Sequence, residues 1–128
     1  MGPLDRRRGI SARQLQQVLE CMELRLGQPL RIYHLAEELR MSPFHFSRLF
    51  KRTTGQSPHR FVTLHRLEKA KELLASSEMP IVAVACAVGY LTQAHFTTAF
   101  GRHVGITPKA YRMSRRVERR SSPPDERA

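Results

Sequence analysis

The chain repeats itself. Setting residues 41–61 against residues 91–111 gives six identities in 21 positions. They are His45/His95, Phe46/Phe96, Phe50/Phe100, Arg52/Arg102, Gly55/Gly105 and Pro58/Pro108. Met41/Leu91, Ser42/Thr92, Ser47/Thr97, Ser57/Thr107 and Phe61/Tyr111 pair residues of similar chemistry. Upstream the offset falls by one, matching Ile32/Ile81, Leu35/Val84, Ala36/Ala85 and Leu39/Val88, so the second copy holds an extra residue around Gly89-Tyr90. Any fold open to this chain must therefore use the same local unit twice.

Each unit reads as helix, tight turn, second helix, then a Gly-x-Ser/Thr-Pro step into another helix. Ser42-Pro43 and Thr92 are cap signals, and Ser57-Pro58 and Thr107-Pro108 open the helices that follow. Phe46, Leu49 and Phe50 share one helical face, as do Phe96, Ala99 and Phe100. Ala36 and Ala85 sit where a small side chain lets the second helix come close. This is the pattern of a helix-turn-helix. Ahead of the first unit, Leu15, Val18, Leu19, Met22 and Leu26 form an amphipathic stripe capped by Ser11 and stopped by Gly27-Gln28-Pro29. Arg31 stands where a Ser or Thr cap is expected. No alternating strand pattern occurs. The expected fold is all-α, with about seven helices in two helix-turn-helix subdomains joined by a long central helix. The divisions are a basic N-terminal tail over 1–10, a first subdomain over 11–57, a linker helix over 58–76, a second subdomain over 77–116 and a disordered tail over 117–128.

Charge points to an anionic partner. The 128 residues hold 22 Lys and Arg against 11 Asp and Glu, a net charge of +11. No acid lies between Glu38 and Glu68 or between Glu78 and Glu118. Such segregation suits a phosphate-backbone binder. Two isolated cysteines, Cys21 and Cys86, make neither a disulfide framework nor a zinc site and fit a reducing cytosol. Both are read as inert small apolar residues. No apolar run is long enough to span a bilayer, and residues 1–8 lack the apolar core of a secretory signal. The expected location is cytoplasmic, with the nucleoid.

Two helix-turn-helix units on one basic chain imply DNA. The linker helix has 19 residues, about 28 Å at 1.5 Å per residue, against about 34 Å for a turn of B-DNA. A monomer is thus expected to read two successive major-groove segments, over about 20 bp. Because the units differ in sequence, the site should not be palindromic.

The stretch from about Ser11 to Arg115 resembles the DNA-binding domain of AraC/XylS-type transcription regulators. The residues that carry the likeness are Ala85, Gly89-Tyr90, His95-Phe96, Phe100, Gly105, Pro108 and Tyr111-Arg112. In the first unit they are Leu35-Ala36, Met41-Ser42-Pro43, the run from His45 to Lys51, and Gly55. The resemblance implies promoter binding and, in general, activation through RNA polymerase. By position it implies base contacts from Phe44, Ser47, Arg48 and Lys51 in the first unit and Gln93, Ala94, Thr97 and Thr98 in the second. Arg48 suits guanine O6 and N7, Gln93 suits adenine N6 and N7, and Phe44 a thymine methyl. Ser42, Ser57, Thr92 and Thr107, at helix starts, and Arg52, Arg102 and Arg112 suit phosphates. Thr98 and Gly101 stand where many members are basic, so the first unit is expected to dominate affinity. Most members also carry a sensing and dimerisation domain, so this is either a stand-alone regulator or a piece of a longer one.

His45 and His95 recur beside core aromatics and are read as structural. The Arg-rich run 112–120 is read either as a DNA-backbone arm or as a solvated tail. No phosphate loop, nucleophile triad or acid pair suggests an enzyme, and no metal or cofactor is expected. The alternative is a helical interaction module that acts on RNA polymerase or another protein without site-specific DNA, through Glu20, Glu23, Glu37 and Glu38. A third reading is binding of nucleic acid by charge alone.

Overall fold

In a computed structural model that describes residues 9–28 and 30–121, the described residues form seven helices and no strand. They are α1 (Ala12–Leu24), α2 (Ile32–Glu38), α3 (Pro43–Thr54), α4 (Pro58–Ser76), α5 (Ile81–Ala87), α6 (Gln93–Val104) and α7 (Pro108–Ser121). The chain divides into two compact units, with the boundary between Arg66 and Leu67. That boundary falls inside α4, the expected linker helix: its first turns fall in one unit and its last turns in the other.

The first unit is built on one apolar cluster. Val18, Cys21 and Met22 of α1, Leu35 and Ala36 of α2, and Phe46, Leu49 and Phe50 of α3 are buried together, with Val62 from α4. Phe46 and Phe50 stack along one face of α3 at 5.4 Å, and Phe61 meets Phe50 edge-on at 5.0 Å. Such tilted and edge-to-face pairs add about 0.5–1.5 kcal/mol beyond burial alone. Ser11 caps α1 in reciprocal fashion: its Oγ accepts from Gln14 N–H, and Gln14 Oε1 accepts from Ser11 N–H. At α2, where the cap is Arg31, His34 makes the bond that Gln14 makes at α1, its Nδ1 accepting the Arg31 N–H at 3.2 Å.

The second unit repeats this arrangement. Val84, Ala85 and Val88 stand for the α2 residues, and Phe96 and Phe100 for the α3 pair. Leu67, Ala70 and Leu74 of α4 supply what α1 supplies to the first unit. Phe96 and Phe100 lie 5.6 Å apart, and Tyr111 meets Phe100 edge-on at 5.7 Å. The polar ties repeat too. Arg66 donates to the Gln28 carbonyl in the first unit, and Arg116 pairs with Glu78 in the second, with 38 positions between the partners in both.

The turns of the two units locate the extra residue. Met41 N–H donates to Ala36 O at 3.0 Å, and Tyr90 N–H donates to Ala85 O at 2.9 Å. Tyr90 is therefore the counterpart of Met41, and the inserted residue is Leu91, not one at Gly89-Tyr90. Arg40 and Gly89 share the preceding position, with φ of 57° and 95°.

Three expectations change at the chain ends and turns. Residues 1–8 of the N-terminal tail lie outside the described residues, but Gly9 and Ile10 are buried, and Ile10 N–H donates to Thr53 Oγ1 at 2.9 Å. Gly9 holds φ at 118°, and a Cβ there would lie 2.1 Å from Thr53 Oγ1, so this close approach needs glycine. The expected tail from 117 begins as helix: α7 continues to Ser121, and only 122–128 lie outside the described residues. Of the two cysteines read as inert small apolar residues, Cys86 is exposed, whereas Cys21 is buried.

Candidate nucleic-acid interface

Helix α3 presents one buried and one open face. Ser42 Oγ accepts from His45 N–H at 3.1 Å and Pro43 occupies the first helical position, which fixes where the helix starts. From that start, Phe46, Leu49 and Phe50 point inward. Phe44, Arg48 and Lys51 are exposed on the opposite side, and Ser47 is half-buried between them. Positions 44, 47, 48 and 51 follow helical spacing, so the four expected base-contact residues share one face. Phe44 is 73% exposed, an unusual position for a phenyl ring on a helix that already buries two. The Arg48 guanidinium carbon lies 5.7 Å from its centroid. That cation–π contact steadies the guanidinium. It is the fork-shaped donor that matches guanine O6 and N7.

Helix α6 is laid out alike. Thr92 Oγ1 accepts from His95 N–H at 3.0 Å. Gln93, Ala94 and Thr98 are exposed and Thr97 is half-buried, opposite the buried Phe96 and Phe100. The chemistry differs. Thr98 and Gly101 take the places of Arg48 and Lys51. The α6 face therefore offers an amide, methyl groups and hydroxyls where α3 offers two cations.

The phosphate candidates divide. Ser42, Ser57, Thr92 and Thr107 are all exposed caps, Ser57 Oγ accepting from Arg60 N–H at 3.2 Å and Thr107 Oγ1 from Ala110 N–H at 3.0 Å. Each start carries the partial positive charge of a helix N-terminus. Arg52 and Arg102 are exposed in the last turns of α3 and α6. Arg112 is different. Its Nε donates to the Leu74 carbonyl at 3.0 Å, and its Nη2 is buried. It corresponds by the repeat to Val62, a core residue of the first unit. Arg112, expected at a phosphate, is thus engaged as an internal tie to the end of α4. Sequence reasoning also passed over Leu91. The one-residue insertion was the available signal, but pairing Leu91 with Met41 hid it.

The acids of the alternative reading are partly engaged. Glu23 pairs with His65 at 2.7 Å, and Glu20 accepts from Gln16 at 3.3 Å. Gln16, Leu19, Glu20, Glu23 and Leu24 line a shallow groove on α1.

The family model described as a helix-turn-helix domain matches residues 35–114. An HTH-type transcriptional regulator of Haemophilus influenzae is 40% identical over 92 residues, covering 70% of this chain and 31% of its own length. The regulatory protein PocR of Salmonella typhimurium is 30% identical over 110 residues, covering 86% and 36%. Among solved structures, the C-terminal domain of AraT, a response regulator from Geobacillus stearothermophilus, is 37% identical with a TM-score of 0.74, covering 79% of this chain and 84% of that one. The DNA-binding domain of AdpA, solved in complex with a target DNA, is 28% identical with a TM-score of 0.79, covering 88% and 100%. The chain belongs to the AraC-type helix-turn-helix family. It is a DNA-binding transcription-regulator domain, and α3 and α6 are the second helices of its two AraC-type units. The chain spans about a third of the length of the curated AraC-type relatives it matches. Among the described residues no helix is long and apolar enough to cross a membrane.

Proposed function

We propose that the chain binds promoter DNA as a monomer, reading two successive major-groove segments of a non-palindromic site with α3 and α6, and acts mainly as an activator. The observation that supports this reading most is the shared open face of Phe44, Ser47, Arg48 and Lys51, repeated in position but not in chemistry by Gln93, Ala94, Thr97 and Thr98. Two readers of different chemistry on one chain favour an asymmetric site. Ser42, Ser57, Thr92, Thr107, Arg52 and Arg102 hold the register on phosphates. The groove on α1, apolar along Leu19 and Leu24 with Glu20 and Glu23 at its edge, suits a protein, with RNA polymerase the partner that activation requires. One of the relatives, RclR of Escherichia coli, is named an activator. Acting on DNA fits a cytoplasmic location with the nucleoid.

Selection of bound duplexes from a random library tests this. The expected result is a motif in two unlike blocks, bound at one chain per duplex by sedimentation. A palindrome bound by two chains removes the monomeric reading. Loss of all preference, with affinity that falls evenly as salt rises, leaves binding by charge alone. A Glu20→Lys variant that binds the selected duplex normally but fails to stimulate transcription in vitro supports the polymerase contact, and full stimulation removes it.

A further inference from the structure

Leu91 is an added residue with no packing role. In the first unit the residue before the α3 cap is Met41, which packs against the first core. In the second unit Tyr90 does that work: its ring lies 5.5 Å from Phe96 and meets His95 edge-on at 5.2 Å. Leu91, between Tyr90 and the cap Thr92, is left 90% exposed. A single exposed leucine is ordinary on a protein surface. This one stands at the entrance of the helix that faces DNA, beside Gln93. Behind it the open face of α6 continues with Ala94, Thr97 and Thr98, whose side chains all carry or end in methyl groups.

The thymine C5-methyl is the one apolar group that base pairs present in the major groove. Guanine O6 and N7 require donors of the kind Arg48 provides in the first unit, and α6 has Thr98 at that position. An amide beside a row of methyl groups fits an A·T pair instead, Gln93 reading adenine while the methyl groups meet thymine. We infer that α6 reads a block of A·T pairs chiefly through thymine methyl groups, and that Leu91 is a specificity-determining residue that contacts one of them. This inference rests on the DNA-reading function proposed above.

The test uses the full chain and the duplex it selects. The block whose preference changes with Arg48→Ala belongs to α3, and the other to α6. Each thymine is then replaced singly by deoxyuracil, which removes only the methyl group. In the α6 block the unmodified protein should lose about fourfold in affinity at each contacted thymine, the worth of one buried methyl. Leu91→Ser should weaken binding of the unmodified duplex by a similar factor and abolish the deoxyuracil effect at one position alone. Its thermal unfolding should match that of the parent, because the side chain is on the surface. Persistence of every deoxyuracil effect in Leu91→Ser overturns the role of Leu91. A second block of G·C pairs, or one indifferent to deoxyuracil, overturns methyl reading by α6. Failure of the parent protein to select any motif removes the site-specific function itself, a result distinct from both.

Discussion

Arg40 and Gly89 do the same job at different cost. Both hold positive φ in the turn between the helices of their units, and a side chain in that region costs about 1–2 kcal/mol against glycine. Glycine in turn loses more freedom on folding. Arg40→Gly should therefore raise the stability of the first unit by about 0.5–1 kcal/mol in urea unfolding, and Gly89→Ala should lower that of the second by about 1 kcal/mol. Sequence showed the glycine plainly but gave no sign that Arg40 shares its geometry, because an arginine carries no turn signal. The open face of α3 was more legible. Once the inward set Phe46, Leu49 and Phe50 is known, Phe44, Ser47, Arg48 and Lys51 have only the outer face left. Arg48→Ala should relax preference at one or two G·C pairs by about 1–3 kcal/mol in competition titrations, while Arg102→Ala, at an expected phosphate contact, should weaken all sequences alike and flatten the salt dependence.

The helices α4 and α7 show what pattern reading leaves out. The Ser57-Pro58 and Thr107-Pro108 signals mark both starts, since capping is local chemistry within three residues. The end of α7 is not local. Arg112 donates to the Leu74 carbonyl, Arg119 donates to the Ala75 carbonyl at 2.8 Å, and Arg116 pairs with Glu78. Leu74 and Ala75 lie in the last turn of α4, where carbonyls lack partners within the helix. Three arginines that read in sequence as a DNA arm or a solvated tail are thereby spent inside the second unit. Residues 38 to 44 positions apart make these bonds, so no window of local composition could reveal them. Arg112→Ala should lower the stability of the second unit by about 1–2 kcal/mol, measured by thermal unfolding. The slope of log affinity against log salt should stay unchanged, whereas loss of a phosphate contact would reduce it by about one.

At the scale of the whole molecule, the chain holds two cores and one helix that enters both. Phe46 is fully buried in the first cluster, and Phe46→Ala should cost that unit about 3–5 kcal/mol. Unfolding should then separate into two transitions, with the Tyr90 and Tyr111 environments of the second unit lost only in the later one by NMR. A single coincident transition would show that α4 binds the two cores into one cooperative block. The repeat also has a grammar. The helix that closes one unit, α4, supplies the opening helix of the next through Leu67 and Ala70. By the same register α7 offers Val117 and Arg120 at those places. Val117 is 60% exposed, like a link left open, but a guanidinium at 120 cannot take the place of the alanine methyl at 70. Such a substitution is what a terminal repeat in a solenoid uses to stop stacking. Adding a third identical module after α7 would therefore first require Arg120 to become small and apolar.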